Sequence, residues 1–279
     1  MSAPPEGEGW HASLELGLRL REGRTVLVHN RHQGPLMVQR PFYPEGEQGC
    51  HLYILHPPGG VVAGDMLRVS ASLAEGARAL LTTPAAGKVY RSHGPQAAVE
   101  QTLAVATGAV LEWLPLETIV YDQARAHLRT RVNLAPGAAF LGWEIICLGL
   151  PAAGQAFRAG QVRQDLEVWR AGQPLLLERG RYQGGSPVLA APWGLGGFWV
   201  SGTMLATGGG PALLAEVRAR VASAGLPGRF AATLVSGLIV CRYLGWEAEA
   251  ARGCFLRAWE VLRPQVAGQT ARPPRVWGQ

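Results

Sequence analysis

The chain has 279 residues, enough for a substantial packed core, and 48% hydrophobic against 16% charged residues excludes a disordered chain. The formal net charge is +6, but Lys88 is the sole lysine and the arginines are scattered, which excludes a polybasic arm and predicts no nucleic-acid partner. So low a charge predicts instead that some surface is covered by another protein.

The first ten residues carry Glu6 and Glu8 where a secretory signal would be basic, and no apolar run follows, so the expected location is the cytoplasm. Cys50, Cys147, Cys241 and Cys254 stand far apart with no CxxC pair, which predicts neither a disulfide framework nor a redox couple.

Strands come first along the chain. Leu14, Leu16, Leu18 and Leu20 alternate with Glu15 and Arg19, and Leu128, Thr130, Val132 and Leu134 alternate with Arg129, Arg131 and Asn133, so each run has one wet face. A turn recurs roughly every 30 residues as LAEGA (Leu73 to Ala77), VATGA (Val105 to Ala109) and LAPGA (Leu134 to Ala138), with looser relatives at Glu22-Gly23 and Ala171-Gly172. Glycine supplies the positive φ of a tight hairpin, and such a repeat is the mark of stacked supersecondary units. The expected fold is therefore mainly β, a helicoidal, β-helix-like stack of β-hairpins over about residues 10–206.

Tyr182 to Ala215 carries no charge, but its prolines and glycines break it too often for a membrane span. Pro211 then opens a helix over Ala212 to Ala222, and a second is expected from about Glu247 to Arg263, ended by Pro264. Phe230 to Tyr243 reads as two short strands between them. These two helices belong to a C-terminal part of about residues 207–266. The tail, 267–279, is expected to be extended and to dock by Trp277. The whole chain, 1–279, is expected to form one domain.

The usual catalytic motifs are missing. Gly87-Lys88 lacks the rest of a Walker A loop, because Thr82 stands where its first glycine belongs and Val89 where its Ser or Thr belongs. There is no GxSxG or HExxH. His51 and His56 differ by an odd number of positions, so on a regular strand they could not chelate one ion. What remains is a set of acids within apolar β segments: Asp65, Glu112, Glu117, Asp122 and Glu144. A buried carboxylate must be hydrogen-bonded, paired with Arg, facing water or touching a cation. Weak oxygen ligands, with a thiol such as Cys147, suit transient handling of a divalent metal. An alternative is a β-solenoid carbohydrate-active enzyme using Glu112 and Glu117 as paired carboxylates, although their odd spacing turns them apart unless Pro115 changes the register.

Several segments carry a resemblance: HPPGGVVAGD (His56 to Asp65), TTPAAGKVYRS (Thr82 to Ser92), LEWLPLETIVYDQA (Leu111 to Ala124), GWEIICLG (Gly142 to Gly149) and RPPRVW (Arg272 to Trp277). In order and spacing the chain resembles the urease accessory protein UreD family, called UreH in some systems. The resemblance implies a non-enzymatic scaffold that joins a helical accessory protein (UreF-like) and a GTPase accessory protein (UreG-like), docks on apo-urease and enables nickel incorporation. It further implies a β-rich helicoidal body with two helices, no tightly bound cofactor, and transient nickel moving along an internal channel. By motif position Asp65 resembles the family's acid after its glycine-rich segment; Glu112, Glu117, Asp122, Glu144 and Cys147 are the further candidates for the metal path. Ala63, Gly87 and Leu150 depart from the family pattern, and Leu150 removes a charge.

Overall fold

The computed structural model describes residues 9–150 and 153–278. The chain begins with β1 (His11–Arg21) and β2 (Arg24–Gln33), joined through Glu22-Gly23, followed by the short β3 (Met37–Val38) and β4 (Gly49–Leu55). It then winds through β5 (Met66–Leu73), β6 (Arg78–Thr82), β7 (Gly87–Val89), β8 (Ala97–Val105), β9 (Val110–Leu114), β10 (Thr118–Val120), β11 (Arg125–Leu134) and β12 (Ala139–Leu150). After β13 (Gln155–Ala156), a hairpin of β14 (Gln161–Arg170) and β15 (Gln173–Gln183) closes the winding. The rest is α1 (Pro187–Ala190), β16 (Val200–Thr207), α2 (Pro211–Ser223), β17 (Arg229–Val235), β18 (Leu238–Gly245), α3 (Ala248–Ala267) and a 3-10 turn at Arg275–Gly278.

The expected mainly β solenoid is what the chain forms, with about four coils. Its repeating turns do other work than hairpins, however. β5, β8, β11 and β14 lie parallel in a first sheet, ordered β15-β14-β11-β8-β5-β1-β2, while β4, β6, β9 and β12 lie parallel in a second. LAEGA, VATGA and LAPGA each carry the chain from the first sheet to the second. Gly76, Gly108 and Gly137 take φ of 69°, 67° and 72° in these arches, and Ala77, Ala109 and Ala138 each donate at 3.1 Å to the carbonyl three residues back. An arch joins sheets rather than neighbours, so strand pairing falls between coils and is parallel. The looser relatives are the antiparallel hairpins: Glu22-Gly23 and Ala171-Gly172 have positive φ at both residues, as a type I′ turn requires.

The alternation read from sequence decides which face is dry. Leu14, Leu16 and Leu18, with Val132 and Leu134, point into the core between the sheets. On the outer face of the first sheet, register aligns Arg68, Glu100, Arg129, Asp165 and Arg179 across five strands in alternating sign. Such cross-strand neighbours attract, which is where several of the scattered arginines are used.

The second sheet continues through β16, β18 and β17, and α2 and α3 cover its outer face. A second core fills that space with Trp143, Phe255, Trp259 and Leu262. Each such side chain contributes roughly 1.5–3 kcal/mol by leaving water. α2 begins at Pro211 as expected. α3 runs past Pro264 to Ala267 and stops at Gly268 with φ 65°. Proline lacks an N–H and only the Glu260 carbonyl loses its helical donor, while buried Arg263 and Ala267 hold the last turn down. Among the described residues no helix is long and apolar enough to cross a membrane.

The tail docks by its tryptophan, although its end is a 3-10 turn rather than extended chain. Trp277 packs against Trp143 and Trp259 at ring-centroid distances of 5.5 and 6.0 Å, and its indole N–H donates to Thr82 Oγ1 at 2.9 Å.

Candidate functional site between the two sheets

The acids singled out in the sequence fall into three places. Asp65 and Asp122 sit at the loop end of the solenoid. Asp65 accepts from the backbone N–H groups of Trp10 and Val62, both at 2.8 Å, fastening the glycine-rich loop to the N-terminal strand. Asp122 accepts from those of Arg158 and Ala159 at 2.7 and 2.8 Å; burial opposes the charge, but these donors win and hold its carboxyl below the usual range.

Glu112, Glu117 and Cys147 face the helical layer. Glu112 is buried under α3, bound to Arg263 and to the Trp259 indole N–H at 2.7 Å. Glu117 stands in the break between β9 and β10, 3.7 Å from Arg252 of α3. Pro115 and Leu116 interrupt the strand here, so the odd spacing does not turn these two acids apart. Each instead meets its own arginine, and they do not form an acid/base pair. The Cys147 thiol is buried, with its Sγ 3.7 Å from the Gly149 carbonyl, and burial followed by the nearby Glu117 charge pushes it up to about 11.

Glu144 alone points into the space between the sheets. Odd spacing along β12 sends it to the opposite face from Cys147. That space holds a cavity of about 450 Å³, lined at one end by the loops around His56 to Val61 and Thr83 to Lys88 and deeper in by Gln101, Leu128, Glu144 and Gln164. Gln164 Nε2 donates to Glu144 Oε2 at 2.9 Å, and Thr130 donates to Gln101 at 2.9 Å. Burial pushes the Glu144 carboxyl above its ordinary range despite the hydrogen bond from Gln164. Part of its surface faces the cavity rather than protein atoms, so this is a carboxyl poised against an internal void. At the mouth, burial lowers His56, which keeps its imidazole neutral at pH 7 even with Asp65 nearby.

The polar seam continues beyond Glu144. Thr203 lies opposite it on β16, and Thr203 donates to Glu178 at 3.3 Å. Arg242 Nη1 grips both Glu178 oxygens at 2.8 Å on a half-exposed flank. A line of polar side chains therefore crosses a mostly apolar interior from Gln101 and Glu144 to this flank. Among the described residues no three His, Cys, Asp or Glu side chains gather where they could hold one ion.

Sequence reasoning missed Gln101, Gln164 and Glu178. The signal was present: Gln101 shares parity with Val99, Leu103 and Val105, and Gln164 with Val162, Leu166 and Val168. A polar side chain in an apolar stripe lands in the core and there needs a partner. Also missed was the buried group around Arg263, in which Glu45 and His51 from one stretch of chain meet Glu112 from another.

A family model described as UreD urease accessory protein matches residues 11–278. The chain is 47% identical to the urease accessory protein UreD of Azoarcus sp. (strain BH72), covering 96% of this chain and 94% of that one. It is 44% identical to that of Dechloromonas aromatica (strain RCB), over 99% and 97%, and 42% identical to that of Klebsiella aerogenes, over 98% of each.

Proposed function

The chain belongs to the UreD family of urease accessory proteins, and from that membership we propose that it serves urease maturation in the cytoplasm as a non-enzymatic scaffold for nickel delivery. It works with a helical accessory protein and a GTPase accessory protein, docks with them on apo-urease, and passes nickel through its interior as cargo. Hydrolysis belongs to the GTPase partner, since Thr82 and Val89 stand where a phosphate-binding loop needs other residues.

The observation that carries this reading is Glu144 in the wall of the interior cavity, at the middle of a polar seam between apolar sheets. A conduit needs ligands that hold a cation weakly enough to release it, and carboxylate, amide, hydroxyl and water oxygens do so where thiolates would trap it. Neutral His56 adds no repelling charge at the mouth, where Lys88 is the cation among the lining residues. Asp65 acts here by positioning: it fastens the loop that carries His56 and Gly60, so its loss alters the mouth rather than removing a ligand. Asp122 fixes a neighbouring loop in the same manner. Glu112, Glu117 and Cys147 lie across the second sheet from the cavity and hold α3 and its surroundings.

The test is co-production of urease with its accessory proteins, with and without this chain, followed by metal analysis of the purified urease. Nickel per urease falls several-fold without the chain if it is a delivery scaffold; equal nickel in both preparations refutes the role.

A further inference from the structure

Among the described residues the main path of each sheet ends in two edge strands, with the short β7 and β13 branching off the second sheet, and an edge offers unpaired N–H and C=O groups to any extended chain that reaches it. Three of these four path-end edges carry recognisable protection. β2 presents Arg24, His29, Arg31 and His32; β15 contains Pro174, Glu178, Arg179 and Arg181; β3 is two residues long. β17 differs. Its sequence, RFAATLV, has no proline and no charge after Arg229, and Leu234 and Val235 are each 41% exposed.

The register of β17 fixes which of its groups face out. Ser236 and Gly237, both at positive φ, form a two-residue turn that makes Val235 and Leu238 a hydrogen-bonded pair. Alternation then turns the N–H and C=O of Phe230, Ala232 and Leu234 away from β18. One of these groups is occupied. Arg218 reaches across from α2 and donates to the Ala232 carbonyl through Nε at 2.9 Å and Nη2 at 2.5 Å. A guanidinium there blocks the centre of the edge and places a positive charge where an incoming strand would lie.

The edge is also complementary to itself. An antiparallel pairing of two β17 strands about a two-fold axis at Ala232 sets each Ala232 against the other and each Phe230 against a Leu234, so the outward groups all find partners and no like charges face each other. We propose that Arg218 is an edge guard: it keeps β17 from pairing with β17 of a second copy of this chain, and without it the second sheet runs continuously through a two-fold dimer.

Sedimentation velocity on the full chain tests this. Arg218 is exposed, so Arg218→Ala folds, and it should dimerise roughly tenfold or more tightly than the parent. Adding Leu234→Pro removes an outward N–H that β18 does not use and should restore the parent behaviour. Sedimentation of the single variant identical to the parent overturns the proposal, as does a double variant that still dimerises. A labelled RFAATLV peptide bound by Arg218→Ala without dimer formation overturns the second copy as occupant.

Discussion

Arg263 of α3 and Glu112 of β9 form a buried ion pair, with Arg263 Nε and Nη2 both 3.0 Å from the same carboxylate oxygen. Glu45 takes the other edge of the guanidinium at 2.6 and 2.5 Å, and the Thr270 carbonyl accepts at 2.6 Å. One side chain thus ties the last helix, a central strand and the loop before β4 together. Arg263→Ala should lower the unfolding free energy by about 3–5 kcal/mol, because it leaves two acids buried without their cation. The double variant Glu112→Leu/Arg263→Met should lose less than this. Urea midpoints of the two compare them directly.

Glu45 gives this cluster a pH signature. Burial would raise its carboxyl, but the hydrogen bonds from Arg263 and His51 hold it down at about 2. A folded value below the unfolded one contributes stability above the unfolded pKa and loses it as pH falls through the folded value. The stability difference between the parent and Glu45→Gln should therefore be flat above about pH 5 and shrink progressively toward pH 2. Thermal unfolding across that range reads it.

Trp277 anchors the tail on Trp143 and Trp259. Trp277→Ala should cost about 3 kcal/mol, by loss of packing and of the bond to Thr82. The Thr82 hydroxyl still donates to the Leu114 carbonyl at 2.6 Å in that variant, so no buried donor is stranded. The melting temperature and the near-ultraviolet circular dichroism report the loss.

Much of this fold was legible because parity on a strand is a local property. The leucines of β1 named the dry face correctly except for Leu20, which is exposed next to the hairpin turn, the alternation in β11 did the same, and the recurring Gly76, Gly108 and Gly137 revealed the coil. Whether such a glycine turns the chain back beside itself or across to a second sheet depends on where the next strand finds a partner, which local sequence does not hold. Pro264 misled for a related reason: burial of Arg263 and Ala267 is a tertiary effect that outweighs one lost helical bond. Of the site, Glu144 was picked out by its apolar surroundings, while Gln101 and Gln164 were passed over because neutral amides lack the signal of a charge. Glu112 stood out equally well and is matched by an arginine 151 positions away.

Glu144→Gln separates folding from transport. Because burial raises the Glu144 carboxyl, the ionised form is disfavoured in the folded state, and the stability of that state declines as pH rises through the shifted value. The neutral amide escapes this and can still accept from Gln164. The variant should equal the parent in stability at acid pH, exceed it at pH 7–8, and retain its partners in pull-down.

The same substitution puts the interior route itself to the test. When urease is co-produced with its accessory proteins and either the parent chain or Glu144→Gln, the nickel content of purified urease should fall several-fold with the variant although the scaffold is folded and assembled. Nickel content equal to that obtained with the parent would mean that the ion does not travel past Glu144.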